Sequence, residues 1–119
     1  MILTGRTKLD KKIARDCTIM VEHRNSLLPV LKRYKKERYK IIGLEQTSNS
    51  INLCKYEFKV EPTVLVVGHE CNGIEQDVLD CLDIALEIPL FGRPHSLNVG
   101  VATSICLYEY AKQCNFGRV

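Results

Sequence analysis

The stretch VLVVGHECNGIEQDVLDCLDIALEIPLFGRPHSLN, residues 64–98, restricts the possible folds more than any other part of the chain. Two short apolar runs, 63–67 and 84–88, are rich in Val, Ile and Leu. Such runs suit strands covered on both faces, as in parallel sheets flanked by helices. Parallel strands need a crossover, and between the runs Ile74, Val78, Cys81 and Leu82 recur at helical spacing. Glu75, Asp77, Asp80 and Asp83 make the other face of that crossover helix acidic. The expected fold is therefore α/β, a parallel sheet flanked by helices. Gly68-His69-Glu70 follows the first run, and Pro89 through Asn98 follow the second. In a parallel sheet both endings fall on the carboxyl edge, where ligands bind, so the site is expected there. Gly68, without a Cβ, would let a ligand approach the backbone. Pro89 cannot donate a ladder hydrogen bond, so pairing should stop before it.

The remaining elements follow in order. Residues 1–5 (MILTG) and 17–21 (CTIMV) read as strands, the second because it is β-branched and apolar. His23 at its end reads as a surface residue or a substrate contact. Asn25 or Ser26 is expected to cap a helix over 27–38, with Leu27, Leu28, Leu31 and Tyr34 as its apolar stripe and Arg33, Lys35, Lys36 and Arg38 largely off it. Residues 39–44 (YKIIGL) form the next strand, and 45–52 a polar turn segment. Tyr56 and Phe58, in the connection after it, should pack on the sheet. Ser96 is expected to cap a last helix over 97–112, apolar on more than one side. In a chain of 119 residues such a helix points to a subunit interface.

Composition adds two constraints. The net charge of +3 is unevenly spread: residues 1–40 hold 12 Lys/Arg against 4 Asp/Glu, and residues 41–119 hold 5 against 10. A basic third joined to an acidic remainder suits either a polyanion-facing surface or a solvated helix face. The six cysteines show no C-x-x-C spacing, which argues against a zinc site or a disulfide framework. Cys17, Cys81 and Cys106 read as small reduced core residues. MILTG runs directly into RTKLDKK without an apolar signal core, and no stretch has the length of a membrane span. An intracellular, cytoplasmic chain that engages no membrane is expected.

The pattern Gly68-x-Glu70-x-x-Gly73, then Ile88-Pro89, then Ser96-Leu97-Asn98 resembles the second and third motifs of the SpoU/TrmH-type RNA 2′-O-ribose methyltransferases of the SPOUT superfamily. With Ile41-Ile42-Gly43-Leu44-Glu45-Gln46-Thr47 upstream, the chain is most similar to the catalytic domains of eukaryotic tRNA guanosine-2′-O-methyltransferases of the TAR-RNA-binding-protein-1 type. The likeness runs from about Tyr39 to Gln113. It implies one domain over 1–119, with a basic part (1–40) and a cofactor-binding knot part (63–113). It also implies a carboxyl-terminal trefoil knot, S-adenosyl-L-methionine as cofactor, tRNA or another structured RNA as partner, and a homodimer built on the last helix.

The same resemblance places cofactor contacts at Leu44, Gly68, Ile88, Leu90 and Leu97, and polar active-site groups at Glu70, Ser96 and Asn98. Glu70 and Asn98 would build the hydrogen-bond network of the pocket, while Ser96 would orient a catalytic arginine. Taken singly, Glu70 also reads as a loop ion-pair partner, Ser96 as a helix cap and Asn98 as a first-turn residue. Arg6, Lys8, Lys11 and Lys12 are candidates for RNA phosphate contact. The family's first motif, an asparagine followed by an arginine that serves as general base, has no match here. The expectation is a domain shortened at its amino terminus, either a methyltransferase or a module that binds RNA or cofactor without turnover.

Overall fold

Residues 40–44 form the inner strand on which both apolar runs assemble. The structure, a computed structural model, describes residues 1–5, 11, 15, 18–68, 73–91 and 97–114. In order its elements are β1 (Ile2–Thr4), β2 (Glu22–Arg24), α1 (Leu27–Lys36), β3 (Lys40–Leu44), β4 (Ile51–Asn52), a 3-10 turn (Leu53–Lys55), β5 (Thr63–Val67), α2 (Gln76–Leu79), β6 (Ile84–Glu87) and α3 (Val99–Cys114). Four strands make one parallel sheet in the order β4-β6-β3-β5, while β1 and β2 form a separate parallel ladder.

Alternation along β3 divides the core into two layers, because successive side chains point to opposite faces. Ile41, with Val66 of β5, packs against Leu31 of α1, and Ile74 and Val78 of the crossover join the same cluster. Ile42 and Leu86 face the other way, onto Leu53 and onto Cys106 of α3, with Tyr56 and Phe58 at the margin. Burying Leu31, Ile41 and Leu86, each at most 1% exposed, contributes about 1.5–3 kcal/mol per side chain. Gly43 has its own packing role, since a Cβ there would overlap the end of Leu82.

Polar side chains close the ends of this sandwich. Asp83 Oδ2 accepts from the Ile41 amide at 2.7 Å while Asp83 N donates to Ile41 O at 2.8 Å, which extends the β3–β6 ladder by one step. On the opposite face Gln113 of α3 accepts from Phe58 N at 2.8 Å and donates to Tyr56 O at 3.0 Å. That amide substitutes for a neighbouring strand, and the rings of Tyr56, Phe58 and Tyr110 stack edge to face around it.

The sequence and the structure differ at several element ends. The strand expected over 17–21 is displaced: β2 begins at Glu22, fixed by the pairing Ile2↔Glu22, and Ile19 and Met20 are 64% and 80% exposed. His23 lies within β2, exposed. The helix expected over 27–38 stops at Lys36, and Ser26 stands at its N-cap without a side-chain hydrogen bond. The crossover helix shrinks to Gln76–Leu79, because Cys81 N and Leu82 N bond to Val78 O and Leu79 O three residues back and Asp83 N is drawn to Ile41. The expected polar turn over 45–52 contains β4, and β6 ends at Glu87, two residues before Pro89. Cys81 is half-buried and Cys106 is buried; Cys17 lies outside the described residues.

Candidate functional site

Register brings three strand ends to one level. Leu44 lies opposite Val67 on one side and Leu86 on the other, so Glu45, Gly68 and Glu87 emerge together at the carboxyl edge. Asn52 of β4 pairs with Glu87 and widens that edge. Glu45 N extends the ladder by donating to Leu86 O at 3.0 Å.

Glu45 organises the edge in a way its position in the sequence does not advertise. Its half-buried carboxylate accepts from Ile74 N at 2.8 Å through Oε2 and from Gln46 N at 3.2 Å through Oε1. The chain returning from β5 is thereby fastened to the end of β3. Gly73, with φ of +64°, makes the turn that presents the Ile74 amide. A Cβ on Gly68 would lie 2.6 Å from Gly73 O and 2.7 Å from Ile74 N. The close approach expected at Gly68 is thus made by the chain's own backbone. An acid directly after an apolar strand was the one available signal for Glu45.

Of the residues implied for cofactor contact, Leu44 and Ile88 pack against the same apolar cluster under α3. Gly68 stands level with Glu45, Leu97 is half-buried, and Leu90 is 38% exposed. Asn98 caps α3, its Oδ1 accepting from Gly100 N at 2.8 Å and Val101 N at 3.3 Å. The helix therefore starts at Val99, two residues later than a Ser96 cap would place it. Glu70 and Ser96 lie outside the described residues, as do Arg6, Lys8 and Lys12; Lys11 is exposed.

The edge is acidic. Glu45 and Glu87 stand on it, and neither Lys nor Arg occurs among the described residues of 44–52, 67–75, 86–91 and 97–101. An acidic rim over the half-buried apolar side chains of Leu44 and Ile88 suits a ligand with a cationic centre and a flat, uncharged ring. Among the described residues no three His, Cys, Asp or Glu side chains are grouped to hold a metal ion. On α3, burial first and then Glu109 push the Cys106 thiol up from an ordinary 9.0 to about 11, so it is neutral in the fold. Burial, then Glu61 and Asp83, also raise the Tyr56 hydroxyl.

A parallel sheet covered on both faces, with strand ends and a latched loop at its carboxyl edge, is the layout of α/β proteins that hold nucleoside-like ligands. The chain belongs to the SpoU rRNA Methylase family, whose profile matches residues 11–108. It is 40% identical over 95 residues to the tRNA (guanosine(18)-2'-O)-methyltransferase TARBP1 of Mus musculus, covering 79% of this chain and 6% of that protein. It is 33% identical over 95 residues to the tRNA (guanosine(18)-2'-O)-methyltransferase of Aquifex aeolicus (strain VF5), covering 80% of this chain and 44% of that one. The crystal structure of the A. aeolicus TrmH/SpoU tRNA modifying enzyme superposes with a TM-score of 0.81 at 28% identity, covering 95% of this chain and 61% of that one. The SpoU methyltransferase AviRb from Streptomyces viridochromogenes, in complex with AdoMet, shares the fold with a TM-score of 0.79 at 23% identity, over 94% of this chain and 48% of that one. The chain thus spans less than half the length of both curated relatives. No helix among the described residues is long and apolar enough to cross a membrane.

Proposed function

We propose that this chain is the S-adenosyl-L-methionine-binding domain of a tRNA guanosine-2′-O-methyltransferase. The observation that carries the proposal is the common level of Glu45, Gly68 and Glu87, with the loop from β5 latched back onto β3. Its names come from the tRNA-modifying relatives. When bound, the cofactor supplies an electrophilic methyl group on a sulfonium. Leu44, Ile88 and Leu97 would wall its adenosine, with Gly68 and Leu90 at the rim. Glu45 and Glu87 would favour its positive charge over a neutral product. Glu70 and Asn98 would complete the hydrogen-bond network, and Ser96 would orient the group that takes the ribose proton. Arg6, Lys8, Lys11 and Lys12 would contact RNA phosphates.

The finer architecture belongs to the same proposal: one domain whose 63–113 part binds cofactor, a trefoil knot in its carboxyl-terminal segment, and a homodimer through α3. Val101, Ile105 and Tyr108, spaced to share one side of α3, are 51%, 40% and 60% exposed, which supports an apolar face reserved for a second copy. A cytoplasmic location would follow from such a substrate. The absence of the first-motif Asn and Arg from the sequence favours a second reading, a module that binds RNA or cofactor without turnover. Titration with S-adenosylmethionine beside transfer of labelled methyl groups to a tRNA transcript separates the two. Both positive supports the enzyme and binding alone the module, while no binding of either ligand overturns both.

A further inference from the structure

Charge on this molecule is segregated by sheet edge. Glu45 and Glu87 mark the carboxyl edge, whereas α1 runs back along β3 and leaves its basic end at the amino edge, where Lys40 N donates to Pro62 O at 2.9 Å. On α1, Val30 and Leu31 are buried and Leu27 and Tyr34 pack against the core. Lys35 reaches across to Cys81 O at 3.0 Å and to Asp83 at 3.9 Å. Helical spacing puts Lys32, Arg33 and Lys36 on the arc facing away from the sheet, all exposed, with Arg38 beyond them in the turn. Among the described residues Lys32, Lys36 and Arg38 have no acidic partner, and Arg33 lies 4.9 Å over the ring of Tyr34. Glu37 is the one acid between Lys32 and Lys40.

Two observations set this cluster apart from an ordinary solvated face. A helix carboxyl end attracts cations, but its dipole amounts to about half a charge, which Lys35 alone can offset. Lys32, Arg33, Lys36 and Arg38 are then in excess and repel one another. The second observation is the backbone of Arg38, with φ of +65°. Tyr39 N bonds to Tyr34 O at 3.0 Å and Arg38 N to Lys35 O at 3.1 Å, the paired closure in which the left-handed residue is ordinarily glycine. A side chain there strains the main chain. A cation is held where stability alone would favour none.

We propose that Lys32, Arg33, Lys36 and Arg38 form a phosphate-gripping surface for folded RNA at the amino edge, remote from the edge where the methyl group is transferred. The inference rests on the RNA methyltransferase reading above. About 13 Å of strand separates Lys40 from Leu44, so one nucleotide cannot touch both edges. An RNA that engages both must wrap the domain, and the surface therefore favours whole folded tRNA over an isolated stem-loop. Contacts of this kind release counterions and are independent of base sequence.

The test compares the wild-type chain with a Lys32→Ala/Arg33→Ala/Lys36→Ala/Arg38→Gly variant and with Arg38→Gly alone. Each is titrated with a tRNA transcript, with a stem-loop cut from it and with S-adenosylmethionine, over a range of salt, and each is melted thermally. The fourfold variant should bind tRNA about tenfold more weakly, with a log–log salt slope shallower by about 3, and keep its stem-loop and cofactor affinities. Arg38→Gly should weaken tRNA binding several-fold while melting at the same temperature or slightly higher. Unchanged tRNA affinity and slope in the fourfold variant overturns the proposal, as does an equal loss on the stem-loop or a lower melting temperature for Arg38→Gly. Charge-dependent binding to phosphatidylserine vesicles without any effect on tRNA would assign the surface to a membrane instead. If the wild-type chain binds no tRNA, this surface and the proposed function both fall; if it methylates tRNA and the fourfold variant binds equally well, only the surface does.

Discussion

Glu45 shows how much one side chain can decide at a strand end. Replacing it by Ala leaves the Ile74 amide without its acceptor, at a cost of about 1–3 kcal/mol. The loop then loosens, so denaturant midpoint and S-adenosylmethionine affinity should fall together, and Glu45→Gln, which keeps an acceptor oxygen, should recover most of both. Gly68→Ala is a harsher change, because the new methyl group meets the backbone of Gly73, which cannot rotate away. We expect a loss of about 2 kcal/mol, read from equilibrium unfolding in urea. Cys106 gives the residue scale a pH signature. Its folded-state pKa is raised, so the native state holds the proton more tightly than the unfolded chain. Stability is unaffected by this group below about pH 9 and declines as pH rises toward about 11. In Cys106→Ala this alkaline decline should flatten in thermal melts across that range.

At the scale of elements, what could be read from the sequence was what periodicity records. The runs 63–67 and 84–88 are apolar because β5 and β6 belong to a sheet with helices on both faces, and α1 wrote its stripe at Leu27, Leu31 and Tyr34. The strand misplaced to 17–21 shows the limit of propensity. A β-branched run suits a pleated surface, but the ladder to β1 selects Glu22–Arg24 instead. Glu45 and Asp83 were invisible as organisers because each binds a backbone amide 29 or 42 residues away, a relation with no sequence period. Of the candidate site, Leu44, Gly68 and Ile88 were legible as strand endings, whereas the latch that shapes them was not. The outward side of α3 carries its own expectation. Ile105→Glu should convert a dimer to a monomer in sedimentation velocity, with unchanged far-ultraviolet circular dichroism.

For the molecule as a whole, the decisive feature is the strand order β4-β6-β3-β5. No strand in this sheet is hydrogen-bonded to its predecessor or successor in the chain, so local hairpins cannot start assembly. The last strand made, β6, must enter between two strands laid down before it. Loop closure is therefore required before most ladder contacts form, which slows folding. A chain ending at Asp83 should lack cooperative unfolding, with hydrogen exchange at Ile42 and Leu44 as fast as in denatured peptide. On a ribosome, a nascent chain of this kind stays uncommitted until Ile84–Glu87 has cleared the exit tunnel, and holding it soluble during that wait is work for a chaperone.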